Sequence, residues 1–153
     1  MATEIKTWEI IDGVLSEIDS TLVNESRRER EDLEKWIKTH PAILGNDILI
    51  IGQQVQTKSG FLDFLGIDIN GNIIIVELKR DKLPREVVAQ AIDYASDVST
   101  WDIDKFGEIC RIYHNQSLDD YLTENFDDIN LEDLVINNTQ RLLLVGFGID
   151  EAM

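Results

Sequence analysis

The apolar run Ile73-Ile74-Ile75-Val76 is followed at once by Glu77-Leu78-Lys79. Such an unbroken run reads as a central strand covered on both faces. Ionised groups buried without partners cost several kcal/mol each. A core strand that ends on a carboxylate and an ammonium must therefore do one of three things. It can pair the charges with each other, carry them out to water, or use them chemically.

The segments around this strand suggest an α/β domain. Asp47 to Val55 reads as a strand, Phe61 to Asp68 as another, and Asn72 to Lys79 as the third. Pro84 opens a helix at a position where its missing N–H costs nothing, and Val87, Val88, Ala91, Ile92 and Ala95 form the apolar side of that helix. Leu142-Leu143-Leu144-Val145 reads as a fourth strand, with shorter helices expected between Trp101 and Asn137. The expected fold is a mixed four-stranded sheet flanked by helices: a meander, a helix, then a returning strand. Upstream, Trp8, Ile11, Val14, Leu15, Ile18 and Leu22 recur at helical spacing over Thr7 to Val23. A second helix, capped by Asn24 or Ser26, carries Leu33, Trp36 and Ile37 and should stop before Pro41. The 153 residues suit one domain, residues 1–153, with its motif-bearing core at about 29–100. Ile149 to Met153 read as the start of something further, which points to a chain cut short or a lost second domain.

The net charge of −16 argues against a general polyanion-binding surface. The charge is unevenly spread, however. Lys79, Arg80, Lys82 and Arg85 cluster, while Asp93 to Asp133 is acidic with only Lys105 and Arg111 as basic residues. A basic rim on an acidic body can hold a phosphate locally while the body repels the rest of a long polyanion. No apolar run approaches the roughly 20 residues of a membrane span, and the first residues lack the features of a signal peptide. The single Cys110 has no internal disulfide partner. A cytoplasmic location with no membrane association is the simple expectation.

Register decides what the charges can do. A two-residue loop at Asn70-Gly71 would pair Ile69 with Asn72 and set Asp63 opposite Leu78, leaving Glu77 on the other face. A three-residue loop, Ile69-Asn70-Gly71, with Gly71 left-handed, pairs Asp68 with Asn72 and sets Asp63 opposite Glu77. The three-residue loop is the expectation. Two carboxylates facing each other across a ladder repel, and a divalent cation removes that repulsion. Oxygen ligands with room for water suit Mg²⁺ or Mn²⁺. Lys79, two residues beyond Glu77, could orient a water and stabilise a pentavalent phosphoryl transition state.

Gly60-Phe61-Leu62-Asp63 followed by Glu77-Leu78-Lys79 resembles the signature of the PD-(D/E)xK nuclease superfamily. Gln90-Ala91-Ile92-Asp93-Tyr94 resembles the QxxxY motif of its RecB-like branch, and the spacing is similar to that of the nuclease domain of NucS-type endonucleases. The resemblance runs from about Glu29 to Tyr94, with Leu62 where the family has proline. It implies a restriction-endonuclease-like core and metal-dependent cleavage of DNA, or of RNA, in repair, restriction or defence. It also implies that Asp63, Glu77 and the Leu78 carbonyl bind metal while Lys79 holds the attacking water. Glu34, or else Glu31, is the helix acid it implies, and Gln90 and Tyr94 line the site. Arg80, Lys82 and Arg85 would contact phosphate. A homodimer, a missing C-terminal domain or a protein partner would be compatible with the family.

Blander readings compete with these. Tyr94 could be a core tyrosine, Glu34 part of a solvated face, and Arg80, Lys82 and Arg85 mere solubilising charges. The whole chain could be a non-cleaving nucleic-acid-binding or protein-interaction module on the same fold.

Overall fold

A computed structural model describes residues 7–18, 29–79, 82–83, 85–146 and 148–149. Its centre is a four-stranded sheet built from β3 (Ile48–Thr57), β4 (Gly60–Asp68), β5 (Ile73–Leu78) and β7 (Gln140–Val145), in the order β3-β4-β5-β7. The first three strands form an antiparallel meander, and β7 returns parallel to β5. Parallel pairing needs a long crossover. Here it contains α2 (Arg85–Val98), α3 (Ile103–His114) and α4 (Leu118–Asn125). α1 (Glu29–Thr39) precedes the sheet and ends against a 3-10 turn that Pro41 opens. The mixed sheet and its helical flanks are those expected from the sequence. Pro84 lies outside the described residues.

Both faces of β5 are covered. Ile73 and Ile75 join Leu65, Ile67, Tyr94, Val98 and Phe106 in one buried cluster. Ile74, Val76 and Leu78 join Leu33, Trp36, Ile37 and Phe64 in the other. The unbroken run is thus explained by the alternation of side chains into two cores.

The first segment departs from the sequence expectation. The helix expected over Thr7 to Val23 is instead a hairpin, β1 (Thr7–Ile11) and β2 (Val14–Ile18), while residues 19–23 and the capping candidates Asn24 and Ser26 lie outside the described residues. Asp12 and Gly13 both have positive φ, 52° and 79°, the conformation of a two-residue hairpin turn. Ile10 pairs with Leu15 and both pack on the α1-side core, while the next pair, Ile11 and Val14, is exposed. The period is therefore two, and the spacing of Trp8, Ile11, Val14 and Leu15 mimics a helix.

The helices expected between Trp101 and Asn137 are α3 and α4, and both are capped: Asp102 accepts from Lys105 N–H and Ser117 from Asp120 N–H. Between Asn125 and β7 the chain is not helical. Asp128 and Asn137 adopt positive φ, and Asn130 accepts from Glu132 N–H. Such local bonds compete with helix. The remaining two described strands, β6 (Lys82–Leu83) and β8 (Gly148–Ile149), pair in parallel beside the sheet. Among the described residues no helix is long and apolar enough to cross a membrane.

Candidate metal centre at the β4–β5 carboxylate pair

The site begins with the turn that sets its register. Gly71, at φ 81°, donates its N–H to the Asp68 carbonyl, and Asp68 N–H bonds Asn72 O, so the loop has three residues. The Asp68 carboxylate accepts from the N–H groups of Asn70 and Asn72, both at 2.9 Å, and from the Asn72 amide. It is buried, and Arg141 of β7 bonds it at 3.0 Å. A buried charge with this many donors is satisfied. Its work is to hold one register, Ile67 to Ile73 through Phe64 to Val76.

Extending that register by one residue sets Asp63 opposite Glu77. There the strands stop pairing through their carbonyls, and side chains take over. Asp63 N–H donates to Glu77 Oε1 at 3.2 Å, and Leu78 N–H donates to Asp63 Oδ2 at 2.8 Å. The other edge of β5 stays locked to β7 through Leu78 and Val145, with Lys79 N–H donating to Val145 O. The residues are 2 % and 3 % exposed for Asp63 and Glu77, which excludes a strand end that carries its charges out to water. Burial first, and the adjacent Asp63 charge second, push the Glu77 carboxyl up to about 7; Lys79 and the Asp63 N–H pull the other way. Two carboxylates in this relation repel, and a positive charge between them would relieve the repulsion.

α2 covers the same sheet face. Gln90 Nε2 donates to Tyr94 Oη at 2.8 Å, and Tyr94 O–H donates to the Phe61 carbonyl at 3.0 Å. Burial first, and the charges of Glu77 and then Asp63, raise the pKa of the Tyr94 phenol. Tyr94 is at once a core residue and a neighbour of the pair. Gly60 makes room for it: at φ +131° a Cβ there would lie 3.2 Å from the phenol oxygen. Gly60→Ala is expected to cost about 1–3 kcal/mol from backbone strain alone, and Tyr94→Phe about 1 kcal/mol from its lost hydrogen bond. Urea titration of both variants checks this. A Gly60→Ala chain as stable as wild type would show that neither the positive φ nor the close approach to Tyr94 constrains this position.

The other expected site residues are less gathered. α1 packs on the opposite sheet face, and Glu34 is bonded by Gln53 Nε2 at 3.5 Å. Gln53 bonds Glu34 on the α1 side, while the adjacent Gln54 bonds Asp63 on the α2 side. Glu31 has its backbone in α1, and its side chain lies outside the described residues. Arg85 is exposed at the start of α2; Arg80 and the side chain of Lys82 lie outside the described residues. Among the described residues no group of three or more His, Cys, Asp or Glu side chains gathers as a metal cage. The side-chain donors at this centre are the two carboxylates, with the Leu78 carbonyl as the expected backbone donor.

Sequence reasoning missed Gln54, whose Nε2 donates to Asp63 Oδ1 at 3.0 Å. The signal was there: Gln53, Gln54 and Gln56 interrupt an apolar strand. It also passed over Asp68, whose place before Asn70-Gly71 marks a side chain able to bond the turn.

The family described as Endonuclease NucS C-terminal domain matches residues 29–143. The chain belongs to this family. The match takes in α1, the whole meander, Lys79, Gln90 and Tyr94, and leaves out the β1–β2 hairpin. Among its relatives, Endonuclease NucS of Aeropyrum pernix is 39 % identical over 71 residues, covering 46 % of this chain and 27 % of that protein. Endonuclease NucS of Pyrococcus horikoshii is 29 % identical over 80 residues, covering 52 % and 30 %. The chain thus matches less than a third of the length of these NucS relatives. A chain in the solved EndoMS-dsDNA2 complex aligns with a TM-score of 0.48 at 16 % identity, over 90 % of this chain and 44 % of that one.

Proposed function

We propose that this chain is a metal-dependent nuclease of the PD-(D/E)xK type that hydrolyses phosphodiester bonds in DNA, with Mg²⁺ or Mn²⁺ as cofactor. The observation that carries the reading is the buried Asp63–Glu77 pair, which faces across β4 and β5 with one carboxyl pushed up to about 7. Membership of the NucS C-terminal domain family supports it, and so do the names of the relatives. The donor set fits a hard cation, which takes carboxylate and carbonyl oxygens. Asp63, Glu77 and the Leu78 carbonyl would hold the ion, which when bound supplies charge at a phosphate oxygen and acidifies water. Lys79, whose charge already acts on Glu77, holds the nucleophilic water by its Nζ and stabilises charge building on the phosphate. Tyr94 and Gln90 close the α2 side against bulk water. Glu34 is the helix acid, and Arg80, Lys82 and Arg85 receive flanking phosphates.

A second reading, a binding or interaction module that does not cut, is favoured by the net charge of −16. Labelled linear and circular DNA, single- and double-stranded, incubated with Mn²⁺ or with chelator separates the two. Cutting is expected with Mn²⁺ only, and Lys79→Ala should reduce it by at least ~100-fold. Binding of DNA that weakens with salt, without cutting, would favour the module. Cutting that persists in chelator would overturn the metal-dependent mechanism.

A further inference from the structure

Gln54 is an exposed glutamine with a left-handed backbone, φ 50°, in the middle of a strand. L-residues avoid that region. Strain of this kind persists where surrounding structure holds it, often at functional sites. Core packing does not hold this one, because the side chain is exposed. Its neighbours keep register, Gln53 with Phe64 and Val55 with Leu62, so Gln54 lies opposite Asp63 without forming a ladder pair. The kink turns its amide onto the carboxylate, where Nε2 meets Oδ1 at 3.0 Å. Leu78 N–H meets the other oxygen, Oδ2. Both Asp63 oxygens are therefore oriented, one by the strand that follows and one by the strand that precedes.

We propose that Gln54 is a positioning residue for Asp63, holding the carboxylate for a divalent cation through the strained backbone of β3. The inference rests on the proposed metal-dependent function. Partners that orient metal-binding carboxylates typically influence affinity or activity by 10- to 100-fold. Gln54 also lines a groove of about 810 Å³ with Gln53, Gln56, Lys38, Lys105 and Tyr113. The amide thus stands between a surface recess and a buried ligand.

Gln54→Gly separates strain from positioning. Glycine adopts positive φ freely, so the variant should fold, and Gln54→Asn keeps an amide that is one methylene too short. Mn²⁺ affinity of the 153-residue chain, read by electron paramagnetic resonance, is expected to fall about tenfold in both. In DNA cleavage at saturating Mn²⁺, kcat should fall with KM unchanged. Melting curves establish that the variants are folded. If the wild type binds Mn²⁺ and cuts, and both variants match it, the positioning role is overturned while the nuclease reading stands. If the wild type neither binds Mn²⁺ nor cuts, both readings fall together.

Discussion

Glu77→Gln is expected to lower DNA cleavage by ~100- to 1000-fold and, in the same protein, to raise stability above neutral pH. The amide keeps the shape of the carboxyl. Its oxygen can still accept the Asp63 N–H, and its NH₂ can donate to the Asp63 carboxylate, so a buried repulsion becomes a hydrogen bond. The pH dependence follows from the same cause. Burial and the Asp63 charge raise Glu77 from 4.5 to about 7 in the folded chain. Between those values the folded state holds a proton that the unfolded state has released, so wild-type stability falls as pH rises through this window. The contribution is fully present below pH 4.5 and gone above about 7. After allowance for solvent screening it amounts to about 1–2 kcal/mol. Glu77→Gln should flatten this slope. Urea titrations of metal-free protein from pH 5 to pH 8 measure both curves. Parallel curves would mean that Glu77 does not carry the titration. Loss of folding in Glu77→Gln would make the carboxylate a structural element and remove the case for metal.

Gly71→Ala should be the most damaging single methyl in the β4–β5 hairpin. A Cβ there would lie 2.3 Å from the Val135 carbonyl oxygen, and the φ of 81° disfavours any L side chain. The Gly71 carbonyl also accepts from Asn137 N–H at 2.9 Å, so the turn cannot simply move away. Left-handed strain of roughly 1–2 kcal/mol and overpacking of roughly 1–3 kcal/mol together predict a loss of about 2–5 kcal/mol. Activity should fall further than the unfolded fraction explains, because the only relief is to change the loop. A two-residue loop would turn Glu77 to the face opposite Asp63. Asp68→Ala tests the same point from the side-chain end: it strips the acceptor from Asn70, Asn72 and Arg141 at once. Variants within about 0.5 kcal/mol of wild type, the scale of a neutral surface change, would show that the register does not depend on this turn.

Much of this was legible in the residues, and what was not has physical reasons. Asn70-Gly71 narrowed the turn to two loop lengths that put Glu77 on opposite faces; the three-residue loop was the expectation, and the bonds between Asp68 and both Gly71 and Asn72 decide for it. Pro41 and Leu142 to Val145 bounded the second helix and the last strand in the same way. Thr7 to Ile18 misled because a short apolar series fits both periods, and Asp12-Gly13 was the better evidence. Gln54 was hidden for a different reason. The run Gln53, Gln54 and Gln56 marked polar positions in the strand, but which of them faces Asp63 depends on a positive φ at Gln54 that comes from tertiary context. Glu34 was offered from a helix whose rotation the sequence leaves free; its bond to Gln53, on the α1 side of the sheet, comes from packing that Leu33, Trp36 and Ile37 decide together.

The parallel pairing of β5 with β7 bears on how the chain reaches this state. β4 and β5 are neighbours in sequence and can meet within microseconds. β7 arrives only after α2, α3 and α4, and such non-local pairings form slowly. Until it docks, the most apolar strand of the molecule, Ile73 to Val76, has one open edge. An open β-rich edge invites pairing with another copy. The acidic residues that argue against a general hold on nucleic acid then have a second consequence. Chains of strong like charge repel one another, so the same acidity works against edge-to-edge pairing of any copies in which the β5 edge is open.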